Sequence, residues 1–154
     1  MKQIILQNSI LPSKGFLVHG GSDNCNKGPL RCACVDLASG NVVFDVTDSV
    51  QHPKEMRYGS ATEATYIAIF SAMIICKKHG LPAVIWTTIG HLPERVMSYK
   101  VGNSPANASP SDLHPLIIQA AKAYEQLGGD YHDLDIRHWD KGLYGESPLR
   151  LGFS

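Results

Sequence analysis

His19, Asp140 and Glu146 are the residue types from which a mixed imidazole and carboxylate metal site is assembled. His19 closes an apolar run, and the two acids stand in a glycine-containing stretch near the C-terminus. A histidine at such a position also serves as a hydrogen-bonded core residue, so both readings stand. Two further acids could do hydrolytic work, because a hard cation such as magnesium needs anionic oxygen ligands. Asp23 follows the apolar run in a turn-rich segment, where an aspartate usually makes local turn hydrogen bonds. Glu63 ends the tetrad Ser60-Ala61-Thr62-Glu63, a capping box in which the glutamate reaches back to the start of a helix. Asp23, Glu63, Asp140 and Glu146 are thus the candidate catalytic acids, and His19, Asp23 and Glu63 the candidate metal ligands. The acidic stretch around His132 reads as a solvated loop. Cys25, Cys32, Cys34 and Cys76 lack the close paired spacing of a zinc site and read as small buried side chains.

The chain of 154 residues has the length of one domain with a continuous apolar core, and a single domain over 1–154 is expected. Apolar residues make up 44% and charged ones 18%, as in ordinary globular proteins. Lysine plus arginine total 14 and aspartate plus glutamate total 14, leaving no excess positive charge to displace counterions from a phosphate backbone. Strong nonspecific nucleic-acid binding is disfavoured, although a local basic face is compatible with zero net charge. No window is apolar enough for a membrane span, and Met1 to Leu6 meet Gln7-Asn8-Ser9 too soon for a signal peptide. A cytoplasmic location without membrane attachment is expected.

The elements that would position these residues follow from periodicity and turn chemistry. After an N-terminal extension (1–13), residues 15–19 form a short strand that ends at Gly20-Gly21, and a loop follows to Pro29. Residues 31–37 and 42–47 are two more strands joined by a tight turn at 38–41, so the first three make an antiparallel meander. A helix from Ser60 is apolar nearly all round, and Lys77-Lys78-His79, Gly80 and Pro82 mark its end. Residues 83–87 form a strand reached by a right-handed parallel crossover. A short helix (92–99), an exposed Pro/Asn/Ser loop (101–111), a helix (112–127) and a last strand (134–139) complete the pattern. This is an α/β architecture with a mixed five-stranded sheet, three antiparallel strands followed by parallel crossover strands, flanked by helices.

That order resembles the ribonuclease H fold, and four stretches carry the likeness. His19 to Pro29 is similar, without gaps, to the family's first-strand pattern T-D-G-S-C-x-G-N-P-G-P. Ala61 to Met73 resembles the helix pattern N-N-R-A-E-L-x-A-I-x-x-A-L, and Ile85-Trp86-Thr87-Thr88 resembles the strand ending I-Y-T-D. Trp139 to Gly142 and Gly145 to Arg150 resemble the closing W-x-x-G-H-x-G-x-x-G-N-E-x-A-D. Each keeps mostly glycine and apolar positions, so order and spacing carry the likeness.

The resemblance implies that the four metal-binding carboxylates of the family fall on Gly20, Thr65, Thr88 and Arg150. Glycine has no side chain, the threonines offer neutral hydroxyls, and arginine repels a cation, so no cofactor is expected. The family's loop histidine corresponds to Asp140, and residues 140–154 form a tail in place of its last helix. Ser22, Asn26, Gly28 and Thr62 fall where the family contacts the minor groove of an RNA/DNA hybrid, a surface read by shape and 2′-hydroxyls. Ala61 replaces a further groove-binding asparagine. The expected protein is a catalytically degenerate ribonuclease H-like domain that binds nucleic acid or, nearly equally, a protein partner. The first rival is an active ribonuclease H with relocated carboxylates, which would need magnesium or manganese. The second is a structural or inhibitory protein with no nucleic-acid role.

Overall fold

In a computed structural model of the chain, residues 12–22, 30–48, 60–100 and 104–151 are described. Strands β1 (Phe16–Ser22), β2 (Leu30–Asp36), β3 (Val42–Asp48), β4 (Ala83–Thr87) and β5 (Leu134–His138) form one sheet in the order β3-β2-β1-β4-β5. β1, β2 and β3 pair antiparallel, whereas β4 pairs parallel to both β1 and β5. The helices are α1 (Ser60–His79), α2 (Leu92–Met97), α3 (Pro115–Gln126), α4 (Lys141–Tyr144) and α5 (Pro148–Leu151). The expected mixed five-stranded sheet with flanking helices is the architecture observed.

Alternation along the strands buries both faces of the sheet. Phe16, Val18, Cys34, Ile85 and Ile136 join Ile69, Phe70 and Met73 of α1 and Ile117 and Ala121 of α3 in the larger core. Leu17, Ala33, Val35, Val84 and Trp86 face the opposite side, where Trp139 and Leu149 cover them. Cys34 and Cys76 are buried free thiols of the larger core, and burial pushes the Cys76 thiol up to about 11. α1 ends as its sequence directs, with Gly80 at φ 64° and the basic residues Lys77, Lys78 and His79 in its last turn. Among the described residues no helix is long and apolar enough to cross a membrane.

Three boundaries differ from the sequence reading. β1 does not stop at Gly20-Gly21 but runs on to Ser22, because Gly20 and Gly21 stay in register with Cys32 and Arg31. α3 begins at Pro115 rather than at residue 112. Proline disfavours helical backbone in the residue before it, and His114 is extended (φ −58°, ψ 136°) and caps the helix by accepting from the Leu116 amide at 3.1 Å. The segment expected to be an exposed loop holds a 3-10 turn, Pro105–Asn107, with Pro105 buried. Ser104 fixes it by donating to Glu125 at 2.5 Å, and Tyr131 donates to the same carboxylate oxygen at 2.9 Å.

Candidate functional site

The first strand and the long helix meet at Gly20, and the contact leaves no room for a side chain. A Cβ built there would overlap the Thr65 amide nitrogen and the Ala64 carbonyl carbon, and would lie 2.5 Å from Thr65 Cα, where real Cβ atoms essentially never come within 3.0 Å. The backbone of α1 therefore occupies the volume that a residue-20 side chain would need. Thr65 is buried and seals the seam, its hydroxyl 2.7 Å from the Ala61 carbonyl and 3.4 Å from that of Gly20. Cys32 on the neighbouring strand adds a contact from its thiol to the Ala64 carbonyl at 3.3 Å.

Two of the four positions equated with lost acids are thus in direct contact, Gly20 with Thr65. Thr88, just past β4, borders a cavity of about 270 Å³ with His19, Trp139, Lys141, Glu146 and Ser147. Arg150 belongs to α5, a helix lying against β1 and β2, but its side chain is outside the described residues. Asp23, Asn26 and Gly28 also lie outside them, as do Cys25, the Ser22 side chain and the Ser60 half of the expected capping box.

The remaining candidate acids are separated by the fold. Glu63 is 2% exposed and lines a tight cleft with Thr62, Tyr66, His91 and Arg95, whereas His19 and Glu146 line the Thr88 cavity. Behind the cleft the Tyr66 and Tyr99 hydroxyls lie 2.6 Å apart, and burial raises the Tyr66 hydroxyl well above its usual range. Asp140, expected in place of a loop histidine, caps α4 by accepting from the Gly142 and Leu143 amides at 2.9 and 3.3 Å. Glu146 pairs with Lys141 at 2.6 Å. Of the candidate nucleic-acid contacts, Thr62 is half-buried in the first turn of α1 and Ala61 is exposed.

Among the described residues no group of three or more histidine, cysteine, aspartate or glutamate side chains could hold a metal ion. Two magnesium ions need several anionic oxygens at one place. Among the described residues, a glycine under a helix, a threonine committed to backbone carbonyls and a lysine paired with Glu146 do not fit them.

Sequence reasoning missed Arg31, the residue that clamps the C-terminal corner onto the sheet. Its guanidinium is 7% exposed, grips Asp45 of β3 through two bonds of 2.7 and 2.8 Å, and donates to the Leu149 carbonyl at 3.0 Å. The sequence signal was an arginine followed by four apolar residues in a strand, a position that demands a partner.

The chain matches no protein-family model and is similar to no curated protein. Among solved structures it is similar to the solution structure of the PFV RNase H domain, with a TM-score of 0.50 and 15% identity over 83% of this chain and 79% of that one. At that identity the likeness shows the fold, which is ribonuclease H-like.

Proposed function

We propose that this chain is a ribonuclease H-like domain that acts by binding and does not carry out two-metal hydrolysis. The observation that carries the reading is the seam at Gly20, where helix backbone fills the space of the side chain that the resemblance equates with a metal-binding acid. Thr65 and Thr88 supply hydroxyls in place of carboxylates, and neutral oxygens alone grip magnesium poorly. Nucleic acid is the first partner to test, because the fold is similar to that of an RNase H domain and the Thr88 cavity offers donors from Thr88, Lys141 and Ser147.

The test is an RNA/DNA hybrid incubated with the full chain in magnesium and, separately, in manganese, alongside a binding measurement at two salt concentrations. The expected outcome is salt-sensitive binding with no strand cleavage. Metal-dependent cleavage that is lost in Glu63→Gln or Glu146→Gln would instead establish relocated carboxylates and overturn the reading.

A protein partner is the second reading, favoured by the outer strand β3. Val46 there is 56% exposed on a sheet edge, and an edge strand presents backbone groups to a further strand. Absence of salt-sensitive binding to hybrid, duplex and single strands would favour it.

A further inference from the structure

The cavity beside Thr88 has its own chemistry, distinct from the cation site that the fold resemblance suggests. Its polar lining comes from four places in the chain: His19 of β1, Thr88 just past β4, Lys141 at the start of α4 with Glu146 beside it, and Ser147 just before α5. Ser147 is 3% exposed and accepts from the Leu149 amide at 3.3 Å, which leaves its hydroxyl proton to donate. Trp139 has committed its indole N–H to the Gly145 carbonyl at 3.0 Å, so it supplies a wall. His19 borders the cavity and is not needed as a donor.

An ammonium and two hydroxyls approaching from different segments suit an oxyanion rather than a cation. Donors from three separate segments suit the several acceptor oxygens of a phosphate. Ligand cavities commonly run from about 300 to 1,000 Å³, so one of about 270 Å³ suits a single small polar group.

We propose that this cavity binds a phosphate group of a nucleic-acid strand directly, on Lys141, Thr88 and Ser147, with no bridging metal ion. The choice of nucleic acid as the source of the phosphate rests on the binding reading above. Glu146 acts as an internal competitor. Its contact with Lys141 joins side chains that are 65% and 42% exposed, and a pair this exposed is held weakly. A phosphate, bringing more charge and more acceptor oxygens, draws the Lys141 ammonium away from it.

The test starts with inorganic phosphate titrated into the full chain, with and without EDTA, while backbone amide NMR signals are followed. The expected result is saturable shifts at Thr88 and Ser147 that EDTA does not change. Lys141→Ala should weaken the binding roughly tenfold, the scale of one lost charge-assisted hydrogen bond. Glu146→Gln should tighten it, because it frees the ammonium. Both changes lie at exposed side chains, so the fold is retained. Absent or nonsaturable shifts, shifts abolished by EDTA, or equal affinity in wild type and both variants would overturn the proposal.

The second arm uses a single-stranded oligonucleotide and an RNA/DNA hybrid as probes. Binding that Lys141→Ala weakens and EDTA leaves alone supports the whole proposal. Phosphate binding without oligonucleotide binding keeps the oxyanion site but removes nucleic acid as its source, and with it the nucleic-acid reading. Oligonucleotide binding that neither variant changes keeps that reading and overturns this site.

Discussion

The two sides of β1 are finished in opposite ways. On one, α1 runs for 20 residues and settles so closely that Gly20 cannot carry even a methyl group. On the other, two four-residue helices, α4 and α5, cover Leu17, Val84 and Trp86, and a polar cavity remains between them and the strand ends. The first side is closed by packing at Gly20, and its openings lie elsewhere along α1, at the cleft beside Glu63 and at a cavity of about 350 Å³ by Met73, Cys76 and Tyr124. The second is held at a few points, of which Arg31 is the most heavily engaged, and keeps polar groups beside open space. At the ends of β1 and β4, binding chemistry should therefore reside on the thinly covered side, and substitutions on the two sides should fail differently.

The largest effect is expected at Gly20. Gly20→Ala should destabilise the fold by about 3 kcal/mol or more, since overpacking against backbone has no flexible side chain to absorb it, and Gly20→Asp should do no better in magnesium than without it. Urea denaturation of both variants, with and without the ion, checks this, and a stable Gly20→Asp protein that gains stability from magnesium would break the contrast. Next, Arg31→Ala removes both bonds to Asp45 and the donor to the Leu149 carbonyl, a loss of about 2 kcal/mol on the scale of hydrogen bonds to charged groups. Amide hydrogen exchange should show the loss concentrated in α5 and β3, and uniform deprotection across α1 would contradict the view of Arg31 as a local clamp.

Thr65→Val keeps the shape of the seam and removes its hydroxyl, which should cost roughly 1 kcal/mol. A chemical denaturation midpoint unchanged from wild type would mean that the seam is held by close packing alone. The smallest effect on stability belongs to Glu146→Gln. An exposed pair contributes under about 1 kcal/mol, so thermal unfolding should barely move while phosphate affinity rises.

The strands and α1 were readable because local rules agree with the fold there. Lys77, Lys78, His79, Gly80 and Pro82 state where the helix must stop, and Gly80 adopts the positive φ that its position calls for. Gly20 and Thr65, which the resemblance equates with two acids of one cluster, touch although 45 residues separate them. What the glycine does was hidden, since its fit under the helix depends on the distance between two elements and leaves no mark on its own sequence neighbourhood. Glu63 reads as the glutamate of a capping box, and its burial beside a cleft shared with Tyr66 and His91 follows from long-range packing that the tetrad does not encode. The bond from Arg31 to Leu149 spans 118 positions, well beyond any periodic pattern. Lys141 and Ser147 carry no signal in a pattern of acids, the residue type that a cation requires and this cavity largely lacks.

The fit of α1 over Gly20 also sets the terms for anyone wishing to engineer hydrolysis into this scaffold. Grafting carboxylates one at a time would begin with a steric fault, and the first graft would unseat the element meant to carry the second. A workable route would start by lifting the helix, trading Ala64 and its neighbours for residues that hold it farther off the sheet, and only then add acids.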